Sequence, residues 1–137
     1  MFAVPDNENI YDLTPTQEAM LLYALYAPES QAYFEQVTYS HHGPLNVSAF
    51  ISAWQRVIDR YAILRTSFCW DHGERPLQVV HSRAELPFEQ CDWRHLSGAQ
   101  QQQQLESFLD EDRKRGFDLA KAPLLRLTLI QTATFVM

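Results

Sequence analysis

The sequence is poor in the features that mark most small catalytic or nucleic-acid-binding domains. Its four glycines are scattered, so no glycine-rich phosphate loop is present. Eleven Lys and Arg residues stand against seventeen Asp and Glu, for a net charge of −6. An acidic chain without a basic block has the wrong sign to bind a phosphate backbone. No apolar run approaches the length of a membrane span. The start of the chain carries Asp6, Glu8 and Asp12 and no apolar h-region, so no signal peptide is expected. The two cysteines, Cys69 and Cys91, are far apart and form no C-x-x-C. They read as two thiols of a reducing compartment, and the cytoplasm is the expected location. G-x-S-x-G and H-E-x-x-H are both missing, which removes the usual hydrolase signatures.

What is present is the composition of a folded globular protein: 46% hydrophobic and 20% charged residues in a 137-residue chain. That length fits one domain with a core of its own. Residues 1–12 are polar, include Pro5, and read as a loose lead-in before a folded part spanning 13–137. Thr14-Pro15-Thr16-Gln17 is a capping box with proline at the first helical position. It opens a helix expected to run to Tyr26, with Met20, Leu21, Ala24 and Leu25 on one face, before Pro28 stops it. Gln36 to Ser40 alternates and reads as a strand, followed by the turn His41-His42-Gly43-Pro44.

From the N-cap Asn46 the period becomes helical. Val47, Phe50, Ile51, Trp54, Val57, Ile58 and Tyr61 form one stripe, which is expected to lie against a sheet. The period then switches to alternation at Thr66, Phe68 and Trp70. With Leu77, Val79 and His81 beyond a turn-rich loop, residues 66–81 read as a β-hairpin. A short strand is expected near Pro87 to Cys91. Ser97 and Gln100 form a second capping box, for a helix ending in Arg113, Lys114 and Arg115 before Gly116. Leu125, Leu127 and Leu129 alternate in a further strand, and Ala133 to Met137 reads as the beginning of one more. The order of elements predicts an α+β layer structure with helices over a mostly antiparallel sheet.

Two groups invite a chemical reading. His41-His42 are adjacent, and neighbours on an extended segment point in opposite directions, so a shared metal is not expected. His72, His81 and His95 add no ligand spacing. Arg60 and Arg65 sit five apart across the helix-to-strand switch. Taken alone they read as surface arginines, one in a last helical turn and one pairing with a carboxylate.

The surrounding residues change that weighting. Arg60-Tyr61-Ala62-Ile63-Leu64-Arg65-Thr66-Ser67-Phe68 resembles the second core motif of nonribosomal peptide synthetase condensation domains, approximately Arg-His-Glu-x-Leu-Arg-Thr-x-Phe. Both arginines, Leu64, Thr66 and Phe68 match, while Tyr61 and Ala62 replace His and Glu. Leu13-Thr14-Pro15-Thr16-Gln17 resembles the first core motif. Tyr33-Phe34-Glu35-Gln36 and Phe117-Asp118-Leu119 with Pro123-Leu124-Leu125-Arg126 follow in the family's order.

The resemblance implies a chloramphenicol-acetyltransferase-like two-layer sandwich, of which this chain matches the front part of the first of two lobes. It implies amide formation from thioesters held on the phosphopantetheine arms of partner carrier domains, with no cofactor bound directly. Peptidyl carrier domains and adjoining synthetase modules are the implied partners. Thr14, Gln17, Arg60, Arg65, Thr66 and Phe68 become the candidate supporting residues, and an arginine of this region is expected to brace an aspartate of the family's His-His-x-x-x-Asp-Gly. That catalytic motif is expected after the strand near Leu124 to Gln131 and does not occur before Met137. His41-His42 lacks the Asp-Gly and stands too early to replace it. The chain is therefore expected to be inactive alone, with self-association through an unfinished sheet edge at Phe135 to Met137. Two rival readings are a standalone module that docks carrier proteins without catalysis, and an acyltransferase of the same fold using a soluble coenzyme A thioester.

Overall fold

The computed structural model describes residues 7–71 and 73–133. Eight principal elements follow one another: β1 (Asn7–Asp12), α1 (Pro15–Tyr26), α2 (Val47–Arg60), β2 (Thr66–Cys69), β3 (Leu77–His81), β4 (Phe88–Asp92), α3 (Gly98–Arg115) and β5 (Leu127–Gln131). The α+β class expected from the element order is the one observed. The sheet differs from the expectation, because the strands form two separate sheets. One is antiparallel with order β1-β3-β2, and the other is the parallel pair β4-β5.

The hairpin β2-β3 pairs Thr66 with Val80 and Cys69 with Leu77. On its other side β3 takes β1, with Ile10 opposite Val79 and Asp12 opposite Leu77. This corrects the loose lead-in expected over residues 1–12, since Asn7–Asp12 is an edge strand. Its sequence lacks an apolar alternation, and it is held by ladder bonds to a partner from distant sequence, which local pattern cannot reveal.

Both capping boxes form. Thr14 accepts from the Gln17 amide at 3.3 Å while Gln17 Oε1 accepts from the Thr14 amide at 2.9 Å. Ser97 and Gln100 repeat the exchange at the start of α3. Gly116 ends α3 at φ 57, the left-handed region where a side chain would be strained. The long helix α3 is the crossover between β4 and β5, which a parallel pair requires. Gln101 fastens its first turns, donating to the carbonyls of Trp93, Leu96 and Thr132.

Between α1 and α2 the chain makes a 3-10 turn at Pro28–Ser30 and reverses through Gln31 (φ 52) and Tyr33 (φ 65). The strand expected at Gln36–Ser40 is not formed. Its residues have no ladder, and among the described residues no hydrogen bond reaches their backbone. Alternation makes a strand only where a second strand lies alongside. The further strand expected at Ala133 to Met137 falls on residues of which only Ala133 is described, and Ala133 is not in a strand.

The stripe of α2 is only partly covered. Ile58 is fully buried and Phe50, Ile51 and Trp54 are half-buried, but Tyr61 is 51% exposed. The β3–β4 connector is fastened to this helix through Gln55, which donates to the Ala84 carbonyl and accepts from the Leu86 amide. Among the described residues the buried apolar set is Leu13, Leu21, Ile58, Val80 and Ala84. No helix among them is long and apolar enough to cross a membrane.

Candidate functional site: the junction of helix 2 and strand 2

The C-terminal turn of any helix leaves carbonyls without intrahelical partners. In α2 the chain stops at Arg60 because Tyr61 turns extended (φ −107, ψ 108), and a 3-10 turn, Ala62–Arg65, carries it into β2. Arg65 stands at the end of that turn and folds back. Its Nη1 donates to the carbonyls of Asp59 (3.0 Å) and Ile58 (3.4 Å), and its Nε donates to His81 O at 3.0 Å. One guanidinium thus caps the negative end of α2 and ties it to the last residue of β3. The side chain is buried, at 7% exposure. The expectation of a surface position is corrected here, since Arg65 is buried, and the carbonyls of Ile58, Asp59 and His81 are among its partners.

Arg60 behaves in the opposite way. It is exposed, and its guanidinium lies 5.8 Å from the Tyr61 ring. It has no ion pair among the described residues. The two arginines that look equivalent in sequence differ in burial, and only Arg65 is fixed by several bonds.

Thr66 and Ser67 are buried beside Arg65, at 5% and 3% exposure. Thr66 Oγ1 donates to Ala62 O at 2.9 Å, which closes the 3-10 turn. Ser67 Oγ lies 2.7 Å from His81 Nε2, a diagonal pair across the hairpin register. With Ser67 almost out of solvent and no carboxylate on the imidazole among the described residues, this pair is a cross-strand tie and has no triad geometry. Phe68 points the other way. Its amide donates to Leu119 O at 2.8 Å, linking the hairpin to the connector before β5, and its ring lines a large cavity.

Thr14 and Gln17 lie on the far side of β3. The Gln17 amide pairs with that of Gln78 at 3.1 Å, and Gln78 also donates to Asp12 O. The first motif and the junction are therefore both docked on β3, one on each flank. His41 and His42 are exposed in the segment without secondary structure, away from Arg65. Among the described residues no group of three His, Cys, Asp or Glu is arranged to hold a metal.

The structure holds a second polar centre, which joins Gln36 and Arg126 of the two further landmarks to Asp112. Arg126 Nε donates to Asp112 Oδ1 at 2.6 Å, and its other nitrogens reach Asp112 O and Gly116 O. The same guanidinium lies 4.3 Å from the Phe117 ring and 5.5 Å from Phe34. Asp112 also accepts from Gln36 and Arg115. Burial alone would raise the Asp112 pKa, but the hydrogen bonds from Arg126, Gln36 and Arg115 outweigh it and hold the carboxyl below its ordinary value. Gln36 and Arg126 stand in landmarks quoted from the sequence; Asp112, which joins them, does not and is the member that sequence reasoning missed.

Comparison with known proteins agrees with the motifs. The family model for the condensation domain matches residues 7–136. A linear gramicidin synthase of Brevibacillus parabrevis is 50% identical over 124 residues, covering 90% of this chain and 2% of that protein. Surfactin synthase subunit 3 of Bacillus subtilis is 32% identical over 132 residues, 96% of this chain and 10% of that protein. Among solved structures, the starter condensation domain of the rhizomide synthetase superposes with a TM-score of 0.73 at 21% identity, over 92% of this chain and 31% of that one. A four-domain nonribosomal peptide synthetase gives 0.73 at 19% identity over 97% of this chain and 10% of its own. The chain thus spans a small part of each of these relatives.

Proposed function

The chain belongs to the condensation-domain family, and from that premise we propose that it supplies the front part of the first lobe of an amide-forming condensation domain and does not catalyse alone. In the reaction proposed for the whole domain, an acceptor amine attacks the carbonyl carbon of a donor thioester. The C–N bond forms, the C–S bond breaks, and the phosphopantetheine thiol leaves with the proton released by the amine. Peptidyl carrier domains bring both substrates. Holding them together supplies much of the rate, and a nearby histidine assists proton movement.

The observation that carries this reading is the junction at Arg60–Phe68 set within a family match over residues 7–136. Arg65 is a positioning residue in this scheme. Backbone carbonyls fix its guanidinium, so the fold sets its orientation, as an arginine that braces an aspartate requires. The sequence itself contains no His-His-x-x-x-Asp-Gly.

The test is to mix the purified 137-residue chain with carrier proteins loaded with aminoacyl groups and to follow dipeptidyl-carrier by mass spectrometry. No product above the carrier-only background is expected. Turnover by the chain alone overturns the proposal.

A further inference from the structure

Two arginines of the chain are placed alike. Arg65 is the residue before β2 and folds back on the carbonyls that end α2. Arg126 is the residue before β5 and folds back on the end of α3, donating to the carbonyls of Asp112 (2.7 Å) and Gly116 (2.5 Å). Each follows a leucine, Leu64 and Leu125. Each joins the start of a strand to the C-terminal carbonyls of the helix before it. Arg126 is held in that position by a carboxylate. Asp112 Oδ1 accepts from Arg126 Nε at 2.6 Å, and Asp112 Oδ2 accepts from Gln36 at 3.0 Å. The two side chains are only 15% and 14% exposed. A charge-assisted bond shielded in this way fixes an angle as well as a distance.

The clamp acts on the connector between α3 and β5, which leaves the helix at Gly116 and enters the strand at Leu127. Part-way along, the connector is bonded to the hairpin, where the Phe68 amide donates to Leu119 O at 2.8 Å. Phe68 closes the Arg60–Phe68 stretch on which the proposed function rests. One part of the connector therefore leans on that stretch, while Arg126 sets where the connector ends.

We infer that Asp112 and Arg126 are a further pair of positioning residues for the proposed condensation reaction. The carboxylate fixes the guanidinium, the guanidinium fixes the connector, and the connector holds the Arg60–Phe68 junction in its working geometry. The inference rests on the condensation-domain reading and adds to it a contribution to rate from outside the junction. Where rate comes from holding amine and thioester together, a displacement of about 1 Å far from the reacting atoms slows the reaction without releasing either substrate. The loss therefore falls on kcat and not on KM.

The test uses the 50%-identical linear gramicidin synthase with the stretch that aligns with this chain exchanged for the chain's own residues. Peptide formed from loaded carriers gives kcat and KM. Asp112→Asn keeps the size and removes the charge, and is expected to lower kcat about ten-fold with KM for both carriers unchanged. Arg126→Lys keeps the charge but loses the planar fork, and is expected to do the same. The double variant is expected to lose no more than the worse single one, because the two residues act as a unit. Asp112→Glu keeps the carboxylate and is expected to stay within about three-fold of the unsubstituted hybrid. Ser97→Ala removes the cap at the other end of α3 and is expected to lower the melting temperature while leaving kcat unchanged. Asp112→Asn that lowers the melting temperature yet keeps full kcat overturns the inference and leaves the condensation reading intact. Single losses that multiply in the double variant also overturn it, as does Ser97→Ala if it lowers kcat as far, since destabilising α3 then suffices. An unsubstituted hybrid that forms no peptide overturns the proposed function instead, and this inference with it.

Discussion

The two flanks of the molecule treat their polar and apolar groups in opposite ways. Around β3, a buried arginine, a threonine, a serine and an amide pair are all matched by partners. Around the cavity, Met20 and Leu25 of α1 with Val37 and Tyr39 stand 37–88% exposed, and the alternating segment has no ladder partner among the described residues. The first flank is finished by local and hairpin contacts. The second has a polar anchor, the Asp112–Arg126 centre, but lacks the apolar mass that the anchor positions. Polar fixation and core burial are separable, and here they have come apart.

The contrast can be broken most strongly at Arg65. Arg65→Met leaves the carbonyls of Ile58, Asp59 and His81 without this donor, for a loss of roughly 3 kcal/mol in urea denaturation. Arg126→Met is expected to cost less, about 2 kcal/mol, because Asp112 keeps Gln36 and Arg115 as partners. The same centre predicts acid sensitivity. The folded pKa of Asp112 is depressed, so its contribution is present above the unfolded value near 4 and is lost as pH falls through the folded value. Asp112→Asn should flatten that part of the stability profile below about pH 4, as read by thermal melts across pH.

Thr14→Ala sharpens the comparison on the finished flank. Loss of the capping box is expected to cost about 1 kcal/mol, with faster exchange confined to the first turn of α1. Arg60→Ala should fall within about 0.5 kcal/mol. If Arg60→Ala matched Arg65→Met, the distinction drawn between the two arginines would fail.

Much of this is legible in the sequence, and the parts that are not share a cause. The capping boxes at Thr14 and Ser97, the stripe of α2 and the hairpin at 66–81 depend on residues near one another in the chain, and the structure contains all of them. The motif at Arg60–Phe68 points to the family. What local pattern does not carry is pairing at a distance. Asn7–Asp12 looks like a loose lead-in because its ladder to β3 gives no local signal. Gln36–Ser40 looks like a strand because alternation gives the signal without the partner. The parallel sense of β4 and β5 needs a crossover such as α3 and is not written in either strand. At the site, the motif marks the position of Arg65, but its burial depends on carbonyls of Ile58, Asp59 and His81 that no motif names. The role of Asp112 is hidden because its partners, Gln36 and Arg126, are far from it in sequence.

The strand order β1-β3-β2 has a consequence for synthesis. The central strand is the last of the three to be made, so neither neighbour can pair until Leu77–His81 has left the ribosome. β2 waits only for the short loop that follows it. β1 waits while α1, α2 and the hairpin are translated, roughly 3–14 s at ordinary elongation rates. Throughout that interval the nascent chain carries an unpaired polar strand, followed by a capped helix with exposed tyrosines and leucines. The polarity of Asn7-Glu8-Asn9 and Asp12 then serves a purpose in time: it keeps the earliest strand in solution until its template arrives.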